Sequence, residues 1–165
     1  MLLANDTELA PDCLDRLLGF DDPSVWLWSG ISINTRGPID PQAVAEGADF
    51  SCVMFRADLF ERVGTFDERF RPAYFEDNDY YLRVVLAGGK CRCVGAAQFV
   101  HHGSGTIRLD PEAAHHCRHW FEINRRRYLD KWRINHTMVD DVDVLANAAR
   151  HPWGDESLSI SFWDR

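Results

Sequence analysis

The chain has 165 residues and is 45% hydrophobic, enough for one domain with a core and hardly enough for two. A formal charge of -8 argues against a general nucleic-acid binder, which needs a basic surface to neutralise phosphates; "RHWFEINRRRYLDKWR" is a local basic patch only. No apolar run approaches the ~20 residues that span a bilayer, and "MLLANDTELAPD" lacks the basic and apolar regions of a signal peptide, so a soluble intracellular protein is expected.

In chain order, "MLLAN" reads as the end of a buried strand, and "TELAPDCLDRLLGF" as a helix with Leu14, Leu17 and Leu18 on its apolar stripe and Gly19 as its stop. "SVWLWSGISI" predicts a strand or hairpin, "NTRGPIDPQ" a loop, "ADFSCVMF" an apolar strand and "RADLFERVG" a short helix. "TFDERFRPAYF" has few regular signals and reads as a site-lining loop. "EDNDYYLRVVLAGG" predicts a helix with Glu76, Asp77 and Asp79 in its first turn, Tyr81, Val84 and Val85 facing inward, and Gly88 and Gly89 at its end. The i,i+4 spacing of Asp79 and Arg83 predicts an ion pair worth a few tenths of a kcal/mol, leaving Asp77 the freer acid.

"CRCVGAAQFV" reads as a strand that delivers His101 and His102 to a Gly-Ser-Gly turn. "DPEAAHHCRHWFEINRRRYLDKW" is a long helix capped by Asp110 with Pro111 at its first position. Periodicity is lost from about Ile134, so residues 134–165 are expected to form a tail that docks on the body or on a partner. The five cysteines are odd in number and lack paired CxxC spacing; Cys91 and Cys93 point to one side of a strand and read as core.

The pattern is α/β with a mixed sheet. Three polar clusters fall at element ends, "ANDT", "FEDND" and "HHGSGT". Asp6 and a histidine suit a divalent cation such as Mg²⁺ or Mn²⁺, and Asp77 suits a base taking a proton from a hydroxyl. Each has a plainer reading: Asp6 as a turn or cap, Asp77 as a helix cap, His101 as a strand-end histidine. His115 and His119 share a helix face, but two ligands do not make a closed zinc site, and surface or packing histidines are the favoured reading. The "RRRY" run reads as a solvated face, with an anionic acceptor or membrane surface as the alternative. The sequons at Asn5 and Asn135 are read as accidental.

Taken in order, "LLANDTEL", "GADFSCVMFRADLFERVGTFDERF", "YFEDNDYYLRVVLAGGK", "QFVHHGSGT" and "NRRRYLDKW" resemble the C-terminal half of family 2 glycosyltransferases with the GT-A fold, from Leu2 to about Trp132. The resemblance implies a partial GT-A fold over residues 1–133, a mixed central sheet with flanking helices, whose N-terminal nucleotide-binding half is absent. "AND" stands where the family has its DxD-like motif, so Asp6 would ligate the metal and Asn5 would lie near the donor ribose or phosphates, with Ala4 in place of the first acid. "FED" matches the family's ED motif, implying Asp77 as the base of an inverting transfer and Glu76 as a group that positions the acceptor or supports the site from behind. "HHGSGT" matches a metal-histidine segment, where His101 fits the HxG spacing better than His102. By the same resemblance Asp49 would line the donor sugar, and Phe66 and Asp67 the acceptor pocket.

Two functions are therefore expected. One is a manganese- or magnesium-dependent module transferring sugar from a nucleotide-diphosphate sugar to a saccharide, glycolipid or protein acceptor in polysaccharide biosynthesis, in the cytoplasm or at the inner membrane surface. The other is a non-catalytic carbohydrate- or partner-binding remnant, truncated or half of a split enzyme, completed by an N-terminal half or by homo-oligomerisation. Neither involves nucleic acid or a transmembrane segment.

Overall fold

The computed structural model describes residues 1–34, 40–102 and 111–133. The loop tip after Asn34, Asp110 with its cap, the "GSGT" turn and the tail over 134–165 lie outside the described residues. Two compact units emerge, one of Met1–Gly64 and Ala87–Gly105, the other of Thr65–Leu86 and Thr106–Arg165. Each is taken by itself.

The first unit is built on a mixed six-stranded sheet. Its strands are β1 (Leu2–Leu3), β2 (Thr7–Leu9), β3 (Val25–Ser32), β4 (Val44–Glu46), β5 (Cys52–Phe55) and β6 (Lys90–His101). The order is β1-β5-β3-β6-β2, with β4 also pairing β6, and among the described strands only β3 and β6 run parallel. Strand β3 follows the alternation of its sequence: Val25 and Leu27 are fully buried, whereas Trp26 and Trp28 are half-buried on the opposite face. The alternation breaks after Ser29, where the pairing with β6 jumps from Ser29↔Cys93 to Ile31↔Gln98. Gly30 permits this close approach, because a Cβ there would lie 2.6 Å from the Ala97 carbonyl oxygen and 2.9 Å from the Phe99 ring.

Helix α1 (Cys13–Leu18) packs Cys13 and Leu17 against Cys52, Val94, Ala97 and Phe99. The expected leucine stripe is corrected here, since Leu14 and Leu18 are exposed. The helix packs along its Cys13–Leu17 edge, four residues apart, and Leu14 and Leu18 lie about 100° further round, toward solvent; Thr7–Leu9, expected in the same helix, is a strand. Leu2 and Leu3 also depart from expectation, because β1 is a short strand at the sheet margin with both leucines exposed. Helix α2 (Leu59–Val63) buries Leu59 and Val63, and ends at Gly64 with φ 83°. Cys91 and Cys93 are both buried on β6, as their spacing predicts.

The second unit contains a 3₁₀ turn (Glu68–Phe70), helix α3 (Glu76–Leu86) and helix α4 (Pro111–Trp132). Its core joins Phe70, Phe75, Leu82, Tyr128, Leu129 and Trp132. Of the three residues expected to face inward on α3, Tyr81 and Val84 are buried and Val85 is half-buried. Buried Asn124 straps the incoming loop to α4, its Nδ2 donating to the carbonyls of Phe70 at 2.8 Å and Ala73 at 2.7 Å. No described helix is long and apolar enough to cross a membrane.

Candidate functional site

In the first unit the antiparallel pairing of β2 with β6 sets Thr7 opposite His101, which carries the "AND" turn to the end of β6. The turn closes when His102 N–H donates to the Asp6 carbonyl at 2.9 Å. Asp6 Oδ1 and His101 Nε2 are then 3.2 Å apart, with both side chains partly exposed. Asn34, just beyond β3, clamps the same histidine through its backbone: its Nδ2 donates to the His101 carbonyl at 2.8 Å and its Oδ1 accepts from the His101 N–H at 3.1 Å.

Ser51 links these pieces. Its carbonyl accepts from Ala4 N–H at 2.9 Å and from Thr7 Oγ1 at 3.3 Å, while its hydroxyl lies 3.1 Å from His101 Nδ1. Buried Asp49 holds Ser51 in turn, its Oδ1 accepting from Ser51 N–H at 3.0 Å, and Asp49 N–H donates to Ser29 Oγ at 2.8 Å. The sequence reading singled out Asp49 and missed Ser51, which only the register between strands brings to the histidine.

Asn5 is exposed in the same turn. His102 is exposed beside Glu8, at 3.4 Å. Among the described residues no group of three or more His, Cys, Asp or Glu could hold a metal ion, and the Asp6–His101 pair has no third such residue beside it. His115 and His119 are exposed on α4 and gain no third ligand from the described residues.

In the second unit the "FED" residues open α3 after an unusual approach. Tyr74 (φ 79°) and Phe75 (φ 72°) both occupy the left-handed region although neither is glycine. Such residues cost on the order of 1–3 kcal/mol each and concentrate at functional sites. Phe75 is held there by ring contacts with Phe121 and Tyr128. The chain thereby turns Glu76 inward: its Oε2 is buried without a hydrogen-bond partner. Burial, reinforced by the neighbouring Asp77 charge, pushes the Glu76 carboxyl up to about 7 against the help of its own N–H and that of Tyr74. Asp77, the second residue of α3, accepts from Asn78 N–H at 2.8 Å through its Oδ1.

Phe66 stacks on Tyr80 with centroids 4.4 Å apart, and the Asp67 carboxylate receives Arg69 and Lys131. Burial would raise the Asp67 carboxyl, but the bonds from Arg69 and Lys131 outweigh it and hold the group below the ordinary carboxylate range. The Asp79–Arg83 pair forms as spaced, at 3.0 Å, yet it is buried. Asp79 also receives Lys131 Nζ at 2.6 Å and Trp132 Nε1 at 2.7 Å, so the pair expected to be worth a few tenths of a kcal/mol is part of a buried network.

Comparison with known proteins adds two partial similarities. Over 65 residues the chain is 37% identical to the O-antigen biosynthesis protein RfbC of Myxococcus xanthus, covering 38% of this chain and 5% of that protein. Over 69 residues it is 39% identical to the N-acetylglucosaminyl-diphospho-decaprenol L-rhamnosyltransferase of Mycobacterium tuberculosis, covering 40% of this chain and 22% of that protein. No family model and no solved structure matches. The chain is thus similar, over a stretch well short of either relative's length, to a named glycosyltransferase and to a protein of O-antigen biosynthesis.

Proposed function

We propose that this chain is a module of a family 2 glycosyltransferase with a GT-A fold, moving a sugar from a nucleotide-diphosphate donor to a saccharide or lipid-linked acceptor with inversion. The observation that carries the reading is the Asp6–His101 donor pair, in a chain partly similar to a rhamnosyltransferase. That relative's name suggests a deoxyhexose donor and a sugar linked through diphosphate to a polyprenol as acceptor.

The donor set fits Mg²⁺ or Mn²⁺. Asp6, through its carboxylate, and His101, through its imidazole, would hold the cation, their Oδ1 and Nε2 being 3.2 Å apart. Partial exposure of both side chains leaves room for water and phosphate oxygens. Bound there, the cation would offset charge growing on the leaving diphosphate. Asp77 accepts the proton of the attacking acceptor hydroxyl. Glu76, whose carboxyl burial raises to about 7, is the acceptor-positioning residue beside it.

A second reading, a non-catalytic binding remnant, draws on Ala4 in the first position of the "AND" motif and on the lack of a third ligand among the described residues. One assay separates the two. The chain is supplied with Mn²⁺, a panel of nucleotide sugars including rhamnose, and N-acetylglucosaminyl-diphospho-polyprenol, and the product's anomeric configuration is read by NMR. A product of inverted configuration is expected; retention, or no transfer with any donor, overturns the proposal.

A further inference from the structure

His101 is gripped at both ring nitrogens. Nε2 faces Asp6 at 3.2 Å and Nδ1 faces the Ser51 hydroxyl at 3.1 Å. An imidazole with one ring proton donates from one nitrogen and accepts at the other, so its two neighbours must be matched. Against a carboxylate, the proton belongs on Nε2, and Nδ1 then accepts from Ser51. Against a cation the requirement reverses, because a ligating Nε2 must present its lone pair and the proton must sit on Nδ1.

A hydroxyl satisfies both states because it can donate or accept, whereas an amide N–H or a carbonyl in its place would serve only one. Ser51 is also held in place. It is 8% exposed, its N–H donates to Asp49, and its carbonyl accepts from Ala4 and Thr7 on the turn that carries Asp6. One residue therefore fixes both the ring and the turn that faces it.

We infer that Ser51 is the positioning residue of this site, its hydroxyl turning from donor to acceptor at His101 Nδ1 when Nε2 turns from Asp6 to a divalent cation. The inference rests on the reading of Asp6 and His101 as cation ligands.

The test uses two readouts on the full chain. Mn²⁺ affinity is measured from the free-ion electron paramagnetic resonance signal for wild type, Asp6→Ala, His101→Ala, Ser51→Ala and Ser51→Thr. Loss of an outer partner of a ligating histidine weakens metal affinity by about 10–100-fold, so Ser51→Ala should bind at least about tenfold more weakly, and Ser51→Thr should recover most of that loss. The second readout needs no variant: long-range ¹H–¹⁵N NMR of His101 in the wild-type chain, with Zn²⁺ as a diamagnetic probe, should show the proton moving from Nε2 to Nδ1 on loading. Binding lost in Asp6→Ala and His101→Ala but unchanged in Ser51→Ala, or a ring proton that stays on Nε2, overturns this inference alone. A wild-type chain that binds no Mn²⁺ overturns the cation reading and the inference with it.

Discussion

Lys131 Nζ sits between two carboxylates, 2.6 Å from Asp79 Oδ1 and 2.7 Å from Asp67 Oδ2. Asp79 is fully buried, so the ammonium from the end of α4 compensates a charge near the start of α3 and a second one beside the 3₁₀ turn.

Lys131→Met should destabilise the chain by about 3 kcal/mol, because removing one partner of a buried ionic network strands the others. Arg16→Ala, which removes an exposed pair with Asp12, should change stability by less than about 1 kcal/mol. Urea unfolding of the two variants measures the contrast. Equal effects would mean that the Lys131 network is no stronger than a surface pair.

Two carboxyls give stability opposite pH slopes. Glu76 is raised in the folded state, so its contribution is fully present below the ordinary glutamate range and is lost as pH rises toward about 7. Asp67 is lowered, so its contribution is present above the ordinary aspartate range and is lost as pH falls through and below it. Glu76→Gln should therefore flatten the decline in stability between about pH 4.5 and 7, and Asp67→Asn should flatten the acid limb. Thermal melts across pH check both slopes.

Within the proposed reaction, Asp77→Asn should lower kcat by about 10²–10⁴-fold with little change in donor binding. Glu76→Gln keeps a hydrogen-bond donor and should act mainly on the acceptor KM and on the neutral limb of the pH–rate profile. Steady-state kinetics with varied acceptor distinguish the two, and an Asp77→Asn variant with wild-type kcat would remove Asp77 from the role of base.

Gly30→Ala should cost about 1–3 kcal/mol by overpacking, since the new methyl meets the Ala97 carbonyl and the Phe99 ring. Gly88→Ala meets no atom within 4 Å, but its φ of 90° strains any side chain there, so its cost should come from the backbone alone. Differential scanning calorimetry of both variants, with Gly19→Ala as a third, ranks packing against backbone strain.

Much of this was legible locally. The acidic opening and glycine end of α3, the length of β6 and its terminal histidines, and the buried Cys91 and Cys93 all follow from patterns within one element. What escaped was long-range. Nothing around "TEL" reveals that Thr7 will pair with His101, so a strand was read as the start of a helix. Val44–Glu46 is an exposed strand with no apolar alternation to betray it, joined only by its ladder to β6. Asp79 and Arg83 announced their pair at i,i+4, but Trp132, 53 positions along, did not. Ser51 belongs to the same class: a serine in an apolar run carries no signal until the register brings it to His101.

The most direct test of the account is a thermal-shift titration of the chain with Mn²⁺ and a panel of nucleotide-diphosphate sugars, run beside Asp6→Ala and His101→Ala. A ligand at ~100 times its dissociation constant should stabilise the fold by about 2.7 kcal/mol. A Mn²⁺-dependent rise with at least one nucleotide sugar, abolished in both variants, is expected. A rise that survives both substitutions, or none with any nucleotide sugar, would contradict it.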